Sequence, residues 1–237
     1  MNSAIEQLAD WIKSARTIVA LTGAGISTAS GIPDFRSASG IYSDEHNVNV
    51  FDLDAFRRDP SIFYNFARDF YPQVRDAQPN AAHRALAGWK HVTVVTQNVD
   101  DYHQRAGSSP VYCVHGNHIR STCQSCGGQV ETEALFPVVE SGGIPECNCG
   151  GVYKPNITFF GEMLPEYDWQ QSVQAMCDAD LVLVLGTSLV VYPAASLPDY
   201  RPRNAKLAII NRDPTPLDRD AQLVIHDDLC AVMDALI

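Results

Sequence analysis

Four cysteines stand in two close pairs, Cys123-x-x-Cys126 and Cys147-x-Cys149. Four thiolates suffice for a closed tetrahedral zinc site, which is a folding element rather than a catalyst. Gly127-Gly128 follows the first pair, as in a zinc knuckle; the second pair is more tightly spaced than is usual. A chance cluster or a redox pair is the competing reading. Zinc supplies on the order of 10–16 kcal/mol to small modules, enough to organise 117–154, a stretch with little continuous apolar sequence. Just before it, His115-Gly116-Asn117 ends a β-type run, Val111 to Val114. An imidazole there can reach a ligand and serve as general base, although a lone histidine is more often a surface or packing residue.

Two further polar segments also follow apolar runs. Gly23-Ala24-Gly25 comes directly after Thr17 to Thr22. Such a turn lets backbone N–H groups approach a pyrophosphate, but Thr28 stands where a dinucleotide fingerprint has its third glycine, and a plain turn is an equal reading. Thr96-Gln97-Asn98-Val99-Asp100 ends the run His91 to Thr96. Its amide and carboxyl groups suit hydroxyls and carboxamides; alternatively it is a polar turn with Asp100 capping the next helix.

These residues need elements to hold them. Ile5, Leu8, Ala9, Trp11 and Ile12 recur at helical spacing over 4–15. Helical patterns return over Pro60 to Tyr71, Asn80 to Trp89, Asp100 to Ala106, Tyr167 to Cys177 and Asp228 to Ile237. Residues 33–50 read as a long loop, which is usually functional or mobile. Leu181 to Leu185, Leu207 to Ile210 and Leu223 to Ile225 are further strand-like runs, and Ile157 to Phe160 is expected to resume the main domain. Strands that are apolar on both faces and alternate with helices predict an α/β fold with a mostly parallel sheet covered on both sides.

The 237 residues suffice for one large domain with a small insert. With 17 basic and 28 acidic residues the net charge is −11, which disfavours nucleic acid and mildly favours cationic peptides, or serves solubility alone. No apolar run approaches a membrane span, and the start, Met1-Asn2-Ser3-Ala4-Ile5-Glu6-Gln7, does not resemble a secretory signal, so the cytosol is expected. Cys113, Cys177 and Cys230 read as small buried hydrophobes. Histidines 46, 83, 91, 103, 118 and 226 read as structural.

Taken in order, the segments resemble the sirtuin family. GAGISTASGIPDFRS (23–37) is similar to its first signature and TQNVDDYHQRAG (96–107) to its second, apart from Tyr102 in place of the usual Leu. His115-Gly116 ahead of paired cysteines, NITFFGE (156–162) and GTSLVVYP (186–193) continue the likeness, which runs from about Ile5 to Leu236. The resemblance implies a Rossmann-like domain over 1–116 and 155–237, a zinc module over 117–154, and a helical insert within 33–90. It implies NAD bound by Gly23, Ala24, Gly25, Thr28, Phe35, Arg36, Gln97, Asn98, Asp100, Gly186, Thr187, Ser188, Asn211 and Asp228. His115 and Asn98 are the implied catalytic residues. Thr158, Phe160, Gly161 and Val190 would meet an acyl-lysine peptide that adds as a strand, and Cys123, Cys126, Cys147 and Cys149 would hold one structural zinc.

The implied reaction is NAD-dependent deacylation of lysine, in which nicotinamide leaves, His115 acts as base toward a ribose hydroxyl, and the acyl group departs on ADP-ribose. Sirtuins selective for acidic acyl groups carry a Tyr and an Arg separated by two residues; here Tyr64 is followed by Ala67 at that spacing, with Arg68 about 100° round the helix. A neutral acyl group, acetyl first, is therefore expected. Protein mono-ADP-ribosylation and a non-catalytic NAD-binding scaffold are the rival functions, and a monomer is the expected state.

Overall fold

The computed structural model describes residues 2–35, 37 and 40–236. Six strands form one parallel sheet: β1 (Ile18–Thr22), β2 (Val92–Thr96), β3 (Val111–Cys113), β7 (Leu181–Leu185), β8 (Lys206–Ile210) and β9 (Leu223–Ile225). Their spatial order is β3-β2-β1-β7-β8-β9. Both faces are buried, which is why the strands read as unbroken apolar runs. Ile18, Ala20, Leu181 and Leu183 point to one core layer, with α1 (Asn2–Ser14), α4 (Ala81–Gly88) and α8 (Leu229–Asp234). Val19, Leu21, Val182 and Val184 point to the other, with α7 (Glu166–Cys177). Strand order reverses at the β1/β7 junction, where an open α/β sheet leaves a crevice at its carboxyl edge.

A second sheet, β5-β4-β6, is antiparallel and joins β4 (Gly116–Cys123), β5 (Gln129–Glu131) and β6 (Tyr153–Ile157). The run 157–160, expected in the main domain, starts instead as the end of β6, with Ile157 opposite Gly116. The Thr158 N–H donates to the His115 carbonyl at 2.8 Å, so the run bridges the two sheets. Gly116 is required at the join: its φ is +69°, and a Cβ would collide with the Asn156 carbonyl.

The stretch 33–50 contains short 3-10 turns at Ile41–Ser43 and Glu45–Asn47, and α2 (Leu53–Arg58) follows, capped by Asp52 Oδ1 accepting from Ala55 N–H at 2.7 Å. The helix expected to stop at Tyr71 is α3 (Ser61–Asp76), which runs through Pro72 and buries Val74. Phe51, Phe56, Phe63 and Phe159 meet edge to face or tilted between α2, α3 and the 157–160 run. The remaining helices are α5 (Tyr102–Ala106) and α6 (Phe136–Glu140). Cys113 is buried as expected, but Cys177, the last residue of α7, is exposed, and Cys230, the second residue of α8, is half-buried against the core. Among the described residues no helix is long and apolar enough to cross a membrane.

Candidate active site and metal centre

Backbone packing at the strand-order reversal builds the floor of the site. Gly25 N–H donates to the Gly186 carbonyl at 2.9 Å, and Gly23 N–H to that of Leu185 at 3.1 Å. Gly186 has φ +60°, and a Cβ on it would lie 2.6 Å from Ile26 N; one on Gly25 would lie 2.8 Å from the Gly186 oxygen. The turns after β1 and β7 thus interlock in a way that side chains would prevent. They open a cleft of about 900 Å³. Gly23, Ala24, Gly25, Thr28, Phe35, Gln97, Asn98, His115, Gly186, Thr187, Ser188, Asn211 and Asp228 all line it, as do Thr158, Phe160 and Gly161. Arg36 lies outside the described residues. Val190 is half-exposed and does not line the cleft, whereas Val191, Tyr192 and Pro193 do. Phe35 stands at the wall with its ring 5.7 Å from Tyr42 and 5.8 Å from Phe51.

A buried polar chain holds the amides. Gln97 Nε2 donates to Thr187 Oγ1 at 3.0 Å, tying the end of β2 across to β7. Asn98 N–H donates to Thr96 Oγ1 at 3.0 Å, and Asn98 Nδ2 to Ser27 Oγ at 3.1 Å. Ser27 Oγ in turn donates to Asp100 Oδ2 at 2.8 Å. Asp100 is buried beside a small cavity of about 40 Å³ that adjoins the cleft through Ala24, Phe35, Phe51 and Asn98. Burial pushes its carboxyl above the ordinary value, opposed by the bonds from Ser27 and Tyr102 N–H and by nearby His118. Asp100 Oδ1 does accept from Tyr102 N–H at 3.2 Å, so it also supports the start of α5. Ser27 and His118, whose Nδ1 lies 2.8 Å from the Val99 carbonyl, are parts of the site that carried no distinct signal in the sequence.

His115 Nδ1 lies 3.0 Å from the Gln97 carbonyl. A carbonyl only accepts, so Nδ1 carries the proton and Nε2 is left bare to take another. Burial holds this imidazole below its usual 6.5, partly offset by the bond to Gln97. At the other end Asn211 Nδ2 donates to the Asp213 carbonyl at 2.7 Å, and Asp228 caps α8 by accepting from Ala231 N–H at 3.0 Å.

The 157–160 run has its own clamp. Lys154, almost wholly buried, donates to Glu162 Oε2 and to the Ile157 carbonyl, both at 2.7 Å, and its Nζ sits 4.1 Å from the Phe159 ring centroid. Glu162 Oε2 also accepts from Phe159 N–H at 2.7 Å. Burial pushes the Lys154 ammonium down, resisted by Glu162. Glu162→Ala leaves that cation buried without its partner and is expected to cost about 3 kcal/mol in urea unfolding; a cost below about 1 kcal/mol, the range of a surface pair, would refute the clamp.

Cys123, Cys126, Cys147 and Cys149 converge, with their sulfurs all within 4.8 Å of one another. Cys123 and Cys149 sulfurs are 3.5 Å apart, and those of Cys126 and Cys147 3.8 Å. Tetrahedral zinc, with Zn–S near 2.3 Å, needs S···S edges of about 3.8 Å, whereas a disulfide needs about 2.05 Å. Backbone N–H bonds, from Cys126 to Cys123 and from Cys149 to Cys147, lower those two thiols, Cys147 to about 6, whereas Cys149, despite a bond from Gly151 N–H, is pushed up to about 12 by its contacts with Cys126 and Cys123.

Comparison with known proteins matches the geometry. The Sir2 family model matches residues 23–193. A Thermotoga maritima protein named NAD-dependent protein deacetylase is 42% identical over 231 residues, covering 95% of this chain and 94% of its own. A Cutibacterium acnes protein of the same name is 40% identical over 242 residues, covering 98% and 96%. A solved Sir2 structure holding a deacetylated p53 peptide and 3'-O-acetyl ADP ribose superposes with a TM-score of 0.92 at 40% identity, covering 98% of this chain and 96% of that one. With its glycine turns, amide loop and histidine assembled in one cleft, this chain belongs to the Sir2 family.

Proposed function

We propose that this protein is an NAD-dependent protein-lysine deacetylase that releases nicotinamide and O-acetyl-ADP-ribose. One observation carries the reading: the interlocked glycine turns, Gln97, Asn98 and His115 line a single cleft that is large enough for a dinucleotide and a lysine side chain. The names of the Thermotoga and Cutibacterium relatives support it.

NAD supplies an electrophilic ribose carbon, a nicotinamide leaving group and an acceptor for the acyl group. The chain does the rest. Gly23, Ala24, Gly25, Thr28, Gly186, Thr187 and Ser188 cradle the dinucleotide, with Asn211 and Asp228 at its adenosine end and Phe35 and Arg36 over its reactive end. Asp100 receives the carboxamide, Gln97 and Asn98 orient the ribose, and Phe35 excludes water. His115 Nε2 takes the hydroxyl proton. Thr158, Phe160, Gly161 and Val190 meet the substrate peptide. The four cysteines hold one zinc, closed and structural, that defines module 117–154 against the domain formed by 1–116 and 155–237. Four clustered free thiols suit a reducing cytoplasm. A monomer, with no nucleic-acid or membrane partner, completes the reading.

A base acts in its neutral form, which is lost as pH falls through its pKa. With His115 held below 6.5, the acid limb of kcat/KM is expected below pH 6.5, with a plateau from about pH 7 to 8. An acid limb centred above pH 7 would contradict the assignment.

The acyl group is neutral. Tyr64 is buried with its hydroxyl donated to the Tyr153 carbonyl at 2.5 Å, and neither it nor Arg68 lines the cleft. Among the described residues, α3 thereby presents no cation to the cleft for an acyl carboxylate. Acetyl-lysine and succinyl-lysine peptides of one sequence, incubated with and without NAD and followed by mass, test both claims. Loss of acetyl that requires NAD and outpaces loss of succinyl is expected. Faster succinyl loss overturns the acyl assignment, and ADP-ribosylated protein without lysine deacylation overturns the function.

A further inference from the structure

Residues 211–222 lead from β8 to β9, and Leu217 and Ala221 pack into the core layer that holds α7. His226 stands just after β9, with its ring between two parts of that segment. Its Nδ1 lies 2.9 Å from the Asn211 carbonyl, and its Nε2 lies 3.1 Å from Asp218 Oδ2. The other carboxyl oxygen, Asp218 Oδ1, accepts from Thr215 Oγ1 at 2.6 Å, and Thr215 is buried. A carbonyl and a carboxylate only accept, and a neutral imidazole has a single N–H. The ring therefore makes both bonds only when both nitrogens carry hydrogen. A neutral ring turns a lone pair toward one of the two acceptors. The other charged side chains on the segments that meet there are Arg212, Asp213, Arg219 and Asp220 between the strands, and Asp227 and Asp228 after β9. Arg212 is held by Asp228 at 3.4 Å, and α1 packs with Leu223 and Ile225 in the other core layer.

The clasp borders the site, since Asn211, Arg212 and Asp213 line the cleft. We propose that His226 is a positioning residue for the dinucleotide: bonded to Asn211 and Asp218 together, it fixes the loop that presents Asn211 at the adenosine end, and the clasp closes fully when the ring is protonated. As pH rises the ring loses its second proton, one of the two bonds goes with it, and NAD is held less tightly. The ring touches neither His115 nor the Gln97–Asn98 loop, so it acts on NAD affinity and leaves the chemical step alone. At saturating NAD the pH profile set by His115 is unaffected. The effect on NAD rests on the deacetylase reading; the demand of the clasp for two protons does not.

The test titrates NAD into full-length protein by calorimetry between pH 6 and 8.5, comparing wild type with Asp218→Asn. That substitution removes the demand for the second proton: the new amide Nδ2 donates to the bare Nε2 of a neutral ring, while Oδ1 still accepts from Thr215 Oγ1. His115 titrates alike in both proteins, so the ratio of their dissociation constants isolates the clasp. Wild type over variant, that ratio is expected to rise about 3- to 5-fold from pH 6 to 8.5, the scale of one partly exposed charged bond. A ratio that stays constant with pH overturns the clasp. His226→Ala removes both bonds and is expected to raise KM for NAD about 3- to 10-fold at pH 6 with kcat unchanged. An unchanged KM, or a matching fall in kcat, overturns the positioning role. In 15N-histidine spectra of the same proteins, the His226 signal is the one absent from the alanine variant. Its titration is expected to move to lower pH in Asp218→Asn. Wild-type protein that binds no NAD would sink the deacetylase reading alone, because a His226 titration unmoved by Asp218→Asn overturns the clasp and a lowered one upholds it.

Discussion

Replacing His115 with alanine is expected to lower deacetylation by about 10²- to 10⁴-fold, the range a positioned general base contributes. The fold should survive, because the lost polar contact is one bond to the Gln97 carbonyl at a half-buried position beside open cleft. NAD affinity should change little, since the glycine cradle and the Gln97–Thr187 bond do not involve the imidazole. The outcome is thus a selective loss of turnover, read by steady-state kinetics beside NAD titration and a thermal melt. An alanine variant with unchanged turnover would remove His115 from the chemistry; one that neither binds NAD nor melts cooperatively would give it a structural role instead.

The second large effect belongs to the proposed zinc site. Within 117–154 the described core is thin: Leu135, Phe136 and Val139 are its buried large apolar side chains, beside Cys123. So few groups cannot offset the entropy of ordering nearly forty residues, at about 1–2 kcal/mol each for the backbone alone. A four-thiolate zinc site adds on the order of 10 kcal/mol to what those groups contribute. Cys147→Ser is therefore expected to bring the metal content from one zinc per chain to well below one and to lower the thermal midpoint by at least about 10 °C. Activity should fall with it, because β6 leads directly into Thr158 and the Lys154–Glu162 clamp. Zinc-free protein with an unchanged midpoint would refute the metal centre.

Much of this was legible in residue order. The central strands announced themselves because a sheet buried on both faces needs apolar residues at every position, as in Leu181–Leu185. The glycine turn stood out for a related reason: two backbones pack where no Cβ fits. Other parts depend on contacts that local pattern does not encode. The run after Asn156 has strand character in either sheet, and its pairing with β4 follows from the bend at Gly116. Helix α2 is only six residues long and hides in a polar stretch until Asp52 is seen capping it. Cys177 sits among apolar letters yet points outward at a helix end. His83 and His103 are indistinguishable in sequence from surface histidines, twenty positions apart, and meet only once α4 packs on α5.

The central claim is that one cleft holds a dinucleotide and an acyl-lysine so that breaking the first releases the acyl group from the second. Its most direct measurement is a product balance on wild-type protein with acetyl-lysine peptide and NAD, counting free nicotinamide, deacetylated peptide and acetyl-ADP-ribose in the same samples by mass. Equal amounts of all three at every time point are predicted. Deacetylated peptide accompanied by free acetate without nicotinamide, or formed equally well without NAD, would contradict it.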